Sequence, residues 1–434
     1  MNIKFLFVII LAATVGFSEA FSDTIIRGPY LQIGTPSNIV VRWRTAETNW
    51  GVVYYGLKKN DLNLKATTAG QHIEHIILVS DLQPDTKYFY AIGPTNSISA
   101  SAGTNEFFTS PPAGSAKPTR VWVIGDPGTA KPEQFSVRDA YYKFTGDRRT
   151  DLWFMLGDNA YTHGRDEEYQ KALFEVYSNL FAKSVCWPTL GNHDGRSANS
   201  QTQSGVYYDI FSLPTQGQAG GEMSGTEAYY SYNYANIHFV CLNTHDVDRS
   251  TNGVMLRWLK KDLAANHLDW TIAYFHHPPY TKGSHDSDAK SGENIDLTEV
   301  RQNILPIMEA GGVDLVLSGH AHDYERSFLL DGHYGYSDTL TDAHKKNKGN
   351  GREEEDGAYH KPTLGPAPHE GTVYVVAGSS GKITGGTLNH PAMFLSTNSL
   401  GSVVLDIKGP RLDLTFINEK GKKLDHFTIL KGKE

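Results

Sequence analysis

The chain has 434 residues, 39% of them hydrophobic and 20% charged, with a formal net charge of -8. That length allows two domains with well-buried cores, and the acidic balance argues against nucleic acid as a structural partner held through its phosphates. The two cysteines, Cys186 and Cys241, are too few for a disulfide framework or a cysteine-rich zinc site, and whether they pair stays open.

The chain opens on Lys4, an apolar run from Phe5 to Phe17, and then Ser18-Glu19-Ala20. This is the pattern of a secretory signal peptide over residues 1–20, and the run is too short to span a bilayer comfortably. No other stretch reaches transmembrane length. The sequence holds no Asn-x-Ser/Thr acceptor. A secreted or periplasmic protein is expected, with a lean toward bacterial origin.

Residues 21–112 read as all-β. Ile39, Val41 and Trp43 alternate with Val40, Arg42 and Arg44, and further short apolar runs are separated by turn residues such as Gly34-Thr35-Pro36 and Pro84-Asp85. This spacing predicts a β-sandwich. The stretch from Leu82 through Tyr88 to Tyr90 resembles the tyrosine corner of fibronectin type III domains. No cluster of chemically active side chains falls here, so a structural or docking module is expected. Pro111, Pro112, Gly114, Ser115 and Pro118 mark a linker over residues 113–119.

Beyond residue 120 short apolar strands alternate with helical segments. Strands are expected at 120–125, 152–157, 185–190, 237–243, 270–275 and 313–318. Helices are expected at 133–144, 167–181, 253–266 and 297–310, the last with Asp296 and Glu299 at capping-box spacing. From Thr372 the pattern returns to strands. The alternation predicts an α/β domain over residues 120–434. Residues 331–370 are polar and rich in glycine and charge, which predicts a long surface loop.

The informative residues stand at the carboxyl ends of the strands. Val121–Gly125 runs into Asp126, Leu152–Gly157 into Asp158, and Cys186–Gly191 into Asn192-His193-Asp194. Thr271–Phe275 runs into His276-His277, and Leu315–Gly319 into His320-Ala321-His322. In α/β folds ligands bind outside the carboxyl ends of strands, so five polar strand ends can meet at one place. Any one of them alone reads as a turn residue or a helix cap. Together, imidazole, carboxylate, amide and phenol donors suit iron, zinc or manganese. No Gly-x-x-x-x-Gly-Lys-Ser/Thr loop and no Gly-x-Ser-x-Gly elbow is present.

Gly-Asp-Pro-Gly at 125–128, Gly-Asp-Asn-Ala-Tyr at 157–161, Gly-Asn-His-Asp at 191–194, Ala-Tyr-Phe-His at 273–276 and Gly-His-Ala-His at 319–322 resemble, in order, the five metal motifs of the purple acid phosphatases. These are calcineurin-like metallophosphoesterases, and the larger members carry a fibronectin-like domain in front. The resemblance implies a four-layer αββα catalytic domain and a dinuclear centre of Fe(III) plus a divalent Fe, Zn or Mn. Asp126, Asp158, Tyr161 and His322 would hold the ferric ion, and Asp158, Asn192, His276 and His320 the divalent one, with Asp158 bridging. It also implies a tyrosinate absorption band and attack of metal-bound hydroxide on a small phosphate monoester.

The fourth motif departs from the family pattern at Ala273, where Val is usual, and His277 is the alternative ligand to His276. The resemblance gives His193 a role beside the phosphoryl group, as its stabiliser or as the proton donor, with Asp194 placed to orient it. His277 is expected to face the substrate, and His285 is a further candidate or else a solvated loop residue. A phosphodiesterase or nucleotidase on the same centre is the rival enzyme. A binding or adhesion protein with a degenerate site is the rival from another class, and it would lack ligands that are all present here. Oligomeric state is not readable.

Overall fold

The computed structural model describes residues 24–95, 98, 104–290, 292 and 294–433. The leader expected over residues 1–20 lies outside the described residues.

The front domain is a sandwich of two antiparallel sheets. One joins Ile25–Gln32, Ile39–Asn49 and His72–Val79; the other joins Leu64–Thr67, Val52–Gly56, Lys87–Gly93 and Asn105–Phe108. The Tyr88 hydroxyl accepts from the Gln83 N–H at 3.0 Å, a tyrosine-corner bond that pins the connection into its strand. The alternation in Ile39–Asn49 predicts one wet face, yet Val40 and Arg42 are buried as fully as Val41 and Trp43. The reason is the catalytic domain, which covers the second face. Arg42 donates to the Ser212 hydroxyl at 3.0 Å and to the Asp209 carbonyl. Tyr30 donates to the Ile210 carbonyl and Tyr90 to that of Ala182.

Asp166 receives two front-domain guanidinium groups, Arg27 at 2.9 Å and Arg44 at 2.6 Å. The Arg27 side chain is only 1% exposed. Asp166→Ala would strand that buried cation, and a loss of about 1–3 kcal/mol in urea unfolding is expected. An unchanged midpoint would show that the domains do not depend on this contact.

The catalytic domain stacks two sheets between helices. The first runs Val185–Pro188, Leu152–Met155, Thr119–Ile124, Gly401–Lys408, Arg411–Asn418, Lys423–Lys431 and Tyr359–Lys361. The second runs Tyr230–Tyr234, Ile237–Cys241, Trp270–Phe275, Leu315–Ser318, Thr372–Ala377, Tyr324–Leu330 and Lys345–Asn347, with Met393–Thr397 also on Tyr324–Leu330. Helix Pro132–Thr145 lies on the first, stacking Tyr141 on Trp122 with ring centres 4.3 Å apart. Helix Val254–Ala265 belongs to the other side, burying Leu256, Leu259 and Leu263 at helical spacing. The two inner faces are locked by Arg326 of one sheet on Asp425 of the other.

Three expectations need correction. The helix expected at 297–310 starts at Ile295, widens into a π-turn at Val300–Ile304 and restarts at Leu305–Ala310. Pro306 has no N–H for an i→i-4 bond, so a regular helix cannot run through it. Asp296 forms no capping box; its carboxylate takes Arg249 at 2.5 Å. The helix expected at 167–181 likewise divides into Asp166–Tyr169, a π-turn Gln170–Phe174, and Ser178–Phe181. The widened turn sets Phe174 against Tyr30, 4.9 Å between ring centres. The stretch 331–370 is no plain loop, since Lys345–Asn347 pairs back on Tyr324–Leu330 and Tyr359–Lys361 pairs with the distant strand Lys423–Lys431. Cys186 and Cys241 are both buried free thiols.

Candidate metal centre

The five polar strand ends divide between the two sheets. Thr119–Ile124, Leu152–Met155 and Val185–Pro188 are parallel and nearly level, Ile124 opposite Met155 and Met155 opposite Pro188. Trp270–Phe275 and Leu315–Ser318 are parallel in the other sheet. Both sheets point the carboxyl ends of these strands at one cleft. Asp126, Asp158 and His320 leave their strands with φ of 52°, 52° and 67°, in the left-handed region that costs a side-chain-bearing residue about 1–3 kcal/mol. Gly191 is required by close approach: a Cβ there would sit 2.1 Å from the Asp158 nitrogen.

One cluster is made of Asp126, Tyr161 and His322. The Tyr161 hydroxyl donates to Asp126 Oδ1 at 3.1 Å and lies 3.2 Å from His322 Nε2, which is 3.5 Å from the same Asp126 oxygen. His322 Nδ1 is held by the Thr384 hydroxyl at 2.9 Å, turning Nε2 toward the cluster. The other cluster is Asn192, His276 and His320. Asn192 Oδ1 is 2.9 Å from His276 Nε2 and 3.2 Å from His320 Nδ1, and the two nitrogens are 3.2 Å apart. Asp158 touches both clusters, with Oδ1 3.5 Å from His276 Nε2 and its carboxylate bonded to Tyr161.

The second cluster carries the decisive chemistry. His276 Nδ1–H donates to the Leu156 carbonyl at 2.8 Å, so Nε2 is the nitrogen turned toward Asn192. The Asn192 amide oxygen and the His276 and His320 ring nitrogens thus converge within 3.2 Å of one another. Burial, reinforced by His277 and His276, holds His320 well below the ordinary imidazole range and so neutral. Oxygen and nitrogen donors gathered this closely in a buried space suit a cation between them.

The first cluster tells the same story with charge. Burial pushes Asp126 up to about 8. Burial, then Asp126 and Asp158, drives Tyr161 well above the usual phenol range. Burial also works against Asp158, but His276 and His193 outweigh it and hold its carboxyl below the usual range. A cation would relieve each of these penalties and favour carboxylate and phenolate forms. The residues present fit a pair of metal ions sharing Asp158.

The residues expected to act on substrate are sorted by the geometry. His193 stands at the mouth, its N–H on Asp158 Oδ1 at 2.9 Å and its Nδ1 on the Thr162 carbonyl at 2.8 Å. Asp194 does not orient it. Asp194 is fully buried and accepts from Gly191 N, Asn159 N, Asn159 Nδ2 and the Tyr169 hydroxyl, so it ties the second and third motif loops together. His277 stands beside the cluster, with a ring nitrogen within 4.8 Å of ligand nitrogens of His276 and His320, while its Nδ1 is on the Thr244 hydroxyl at 2.9 Å and its Nε2 is 3.9 Å from Asp296. His285 is not a free loop histidine. Its ring stacks on His320 at 3.8 Å, and its Nδ1 is on Asn294 Oδ1 at 2.8 Å.

A group the five motifs did not include also arrives here. Lys382 Nζ lies 3.8 Å from the centre of the Tyr161 ring. It follows a sixth strand end, Thr372–Ala377 into Gly378-Ser379-Ser380-Gly381, and the rule applied to the other five would have found it.

Residues 119–324 match the calcineurin-like phosphoesterase family, and residues 26–109 match the purple acid phosphatase N-terminal domain. The chain is 26% identical over 352 residues to purple acid phosphatase 23 of Arabidopsis thaliana, covering 68% of this chain and 73% of that one. It is 27% identical over 281 residues to purple acid phosphatase 15 of the same plant, covering 59% of this chain and 49% of that one. The chain thus spans about half the length of the second relative. Purple acid phosphatase PPD1 from yellow lupin (Lupinus luteus) seeds superposes with a TM-score of 0.71 at 19% identity, over 94% of this chain and 75% of that one. A structure of PhoD superposes at 0.63 with 13% identity, over 95% of both chains. At these identities the superpositions speak to fold. No helix among the described residues is long and apolar enough to cross a membrane.

Proposed function

We propose that this chain, which belongs to the calcineurin-like phosphoesterases and carries a purple acid phosphatase N-terminal domain, hydrolyses phosphate monoesters at a pair of metal ions, Fe(III) with a divalent Fe, Zn or Mn. The observation that carries the reading is the meeting of oxygen and nitrogen donors from Asn192, His276 and His320 beside an anionic set, with Asp158 in reach of both. Asp126, Asp158 and Tyr161 offer hard anionic oxygens, joined by the His322 imidazole nitrogen, a set suited to a trivalent ion. Asp158, Asn192, His276 and His320 offer a softer, more neutral set suited to a divalent one. When bound, the two ions would supply an acidified water and a clamp for phosphoryl oxygens.

The chain's own residues do the rest. The Leu156 and Thr384 contacts aim His276 and His322, and Asp194 holds the loops bearing Asp158 and Asn192 in register. His193, fixed through Nδ1, keeps Nε2 available to bind a phosphoryl oxygen or to protonate the leaving alkoxide. His285, held by Asn294, presents its other nitrogen similarly. His277 braces the fourth motif through Thr244. The leader pattern over residues 1–20 supports a secreted or periplasmic setting.

Burial lowers the His193 pKa, with Asp158 and the Thr162 carbonyl opposing. Its proton-donating form therefore exists below the ordinary imidazole value and is lost as pH rises. Activity that uses this proton falls on the alkaline side, which makes the enzyme an acid phosphatase. His193→Ala is expected to lower kcat about 10²- to 10⁴-fold and to flatten that alkaline limb, with metal content retained. A variant with an unaltered pH profile would remove His193 from this role. The reading as a whole is tested by elemental analysis, a visible spectrum, and turnover of p-nitrophenyl phosphate against bis(p-nitrophenyl) phosphate. Two metals including iron, a tyrosinate band and faster monoester turnover are expected. A metal-free protein would overturn the reading, and faster diester turnover would reassign the substrate.

A further inference from the structure

The sixth strand end is built onto the centre. Ser380 N–H donates to the Gly125 carbonyl at 3.1 Å, and the Thr129 hydroxyl donates to the Gly381 carbonyl at 3.3 Å. On the far side Thr384 N–H donates to the His322 carbonyl at 3.3 Å while its hydroxyl holds His322 Nδ1. Gly381 lies so close beneath that a Cβ on it would be 2.6 Å from the Asp126 carbonyl oxygen. Lys382 thus sits between two residues tied to ligand-bearing segments, and its position is set by the same contacts that set theirs.

It has no directly bonded counterion among the described residues. Lys382 is half-buried, rests on the face of Tyr161, and makes no ion pair or hydrogen bond among the described residues. The carboxylates whose fields reach it are Asp126 and Asp158, and the next charge is another cation, Lys131. Both carboxylates belong to the proposed metal set, so their charge is committed elsewhere when the ions are bound. A lysine beside two metal ions and a second lysine is electrostatically unfavourable until an anion joins it. The transferred phosphoryl group is already matched by the two ions. The unmatched charge is therefore available to another part of the substrate.

We propose that Lys382 determines specificity by binding an anionic group on the leaving side of the substrate. It selects phosphate anhydrides and esters whose leaving part carries its own negative charge over those whose leaving part is uncharged. This rests on the phosphoesterase reading above and adds to it a substrate class and a residue that recognises it.

The test compares the metal-loaded wild type with Lys382→Met and Lys382→Arg on inorganic pyrophosphate and on p-nitrophenyl phosphate. The ratio of kcat/KM for pyrophosphate to that for the nitrophenyl ester should fall about ten-fold or more in Lys382→Met, through KM, and recover in Lys382→Arg. Calorimetric titration with imidodiphosphate, which is not cleaved, should show a similar weakening that exceeds the change for inorganic phosphate. Equal losses on both substrates, or no change in the ratio, would overturn the proposal. If the wild type turned over neither substrate, the phosphatase reading would fall, and the imidodiphosphate titration would still decide the role of Lys382.

Discussion

Asp158→Asn should fold, lose its metal stoichiometry, lose the visible band, and lose more activity than any change outside the ligand set. Asn keeps an oxygen that can accept the His193 N–H, now 2.9 Å from Asp158 Oδ1, so the local backbone retains its bond. What disappears is the one negative charge that touches both donor clusters, His276 on one side and Tyr161 on the other. Without it the carboxylates are reduced to Asp126 on one side, and the other side keeps only Asn192, His276 and His320, none of them an anion. The drop in kcat should exceed the roughly 10²- to 10³-fold that loss of a single transition-state donor costs. Metal analysis separates the causes. A variant that kept both ions and near-normal turnover would show that Asp158 does not bridge. The contrast is Asp194→Asn, where an amide must face donors from Gly191, Asn159 and Tyr169 that now all point at a carboxylate. That change should cost folding before it costs chemistry.

Asp314→Ala should be the most destabilising single substitution away from the centre. Asp314 is fully buried and receives Lys361 Nζ at 2.5 Å, Lys431 Nζ at 3.0 Å and the Thr271 N–H at 2.9 Å. Both lysines are buried too, and they come from the edge strand Tyr359–Lys361 and its neighbour Lys423–Lys431 in the first sheet. Asp314 precedes a strand of the second. The triad therefore fastens one sheet to the other. Removing the carboxylate leaves two buried ammonium groups unpaired, and breaking such a pair costs about 3–5 kcal/mol. Replacing all three residues by apolar ones of similar volume should cost far less, because the desolvation penalty disappears with the charges.

The pH dependence of this triad has a definite sign. Burial alone would raise the Asp314 carboxyl, but Lys361 and Lys431 hold it below the usual range. Its folded pKa lies beneath the unfolded value of about 3.9, so its contribution is full above that pH and is lost as pH falls toward the folded value. An enzyme working in mild acid keeps this lock intact. Urea unfolding at neutral pH, pH 5 and pH 3 checks the point. Wild type should hold its margin to pH 5 and narrow toward the variant below 4. A difference between wild type and Asp314→Ala that stayed constant to pH 3 would refute the ionic account.

The sequence by itself determined which strands end in donors, and in what order. Asp126, Asp158, Asn192, His276, His320 and His322 were legible because a buried strand tolerates only apolar residues, so a carboxylate or imidazole at its last position stands out. The same logic extended to Lys382 but was not carried past the fifth strand. The front sandwich was legible from period-two alternation, but that the catalytic domain covers the face bearing Arg42 was not.

What only the tertiary structure decided is which atom of each donor faces which neighbour. Choosing His276 over His277 for the donor cluster depends on a carbonyl at Leu156 and a hydroxyl at Thr244, far from either histidine in the chain. Asp194 looked like a partner for His193 by adjacency, yet its oxygens are spent on Asn159, Tyr169 and Gly191. His285 stood open between a site candidate and a solvated loop residue until its ring was placed on His320. The physical reason is common to all of these. Strand periodicity is a local property that residue order expresses directly. The direction of a side-chain lone pair is fixed by hydrogen bonds to residues that only folding brings near.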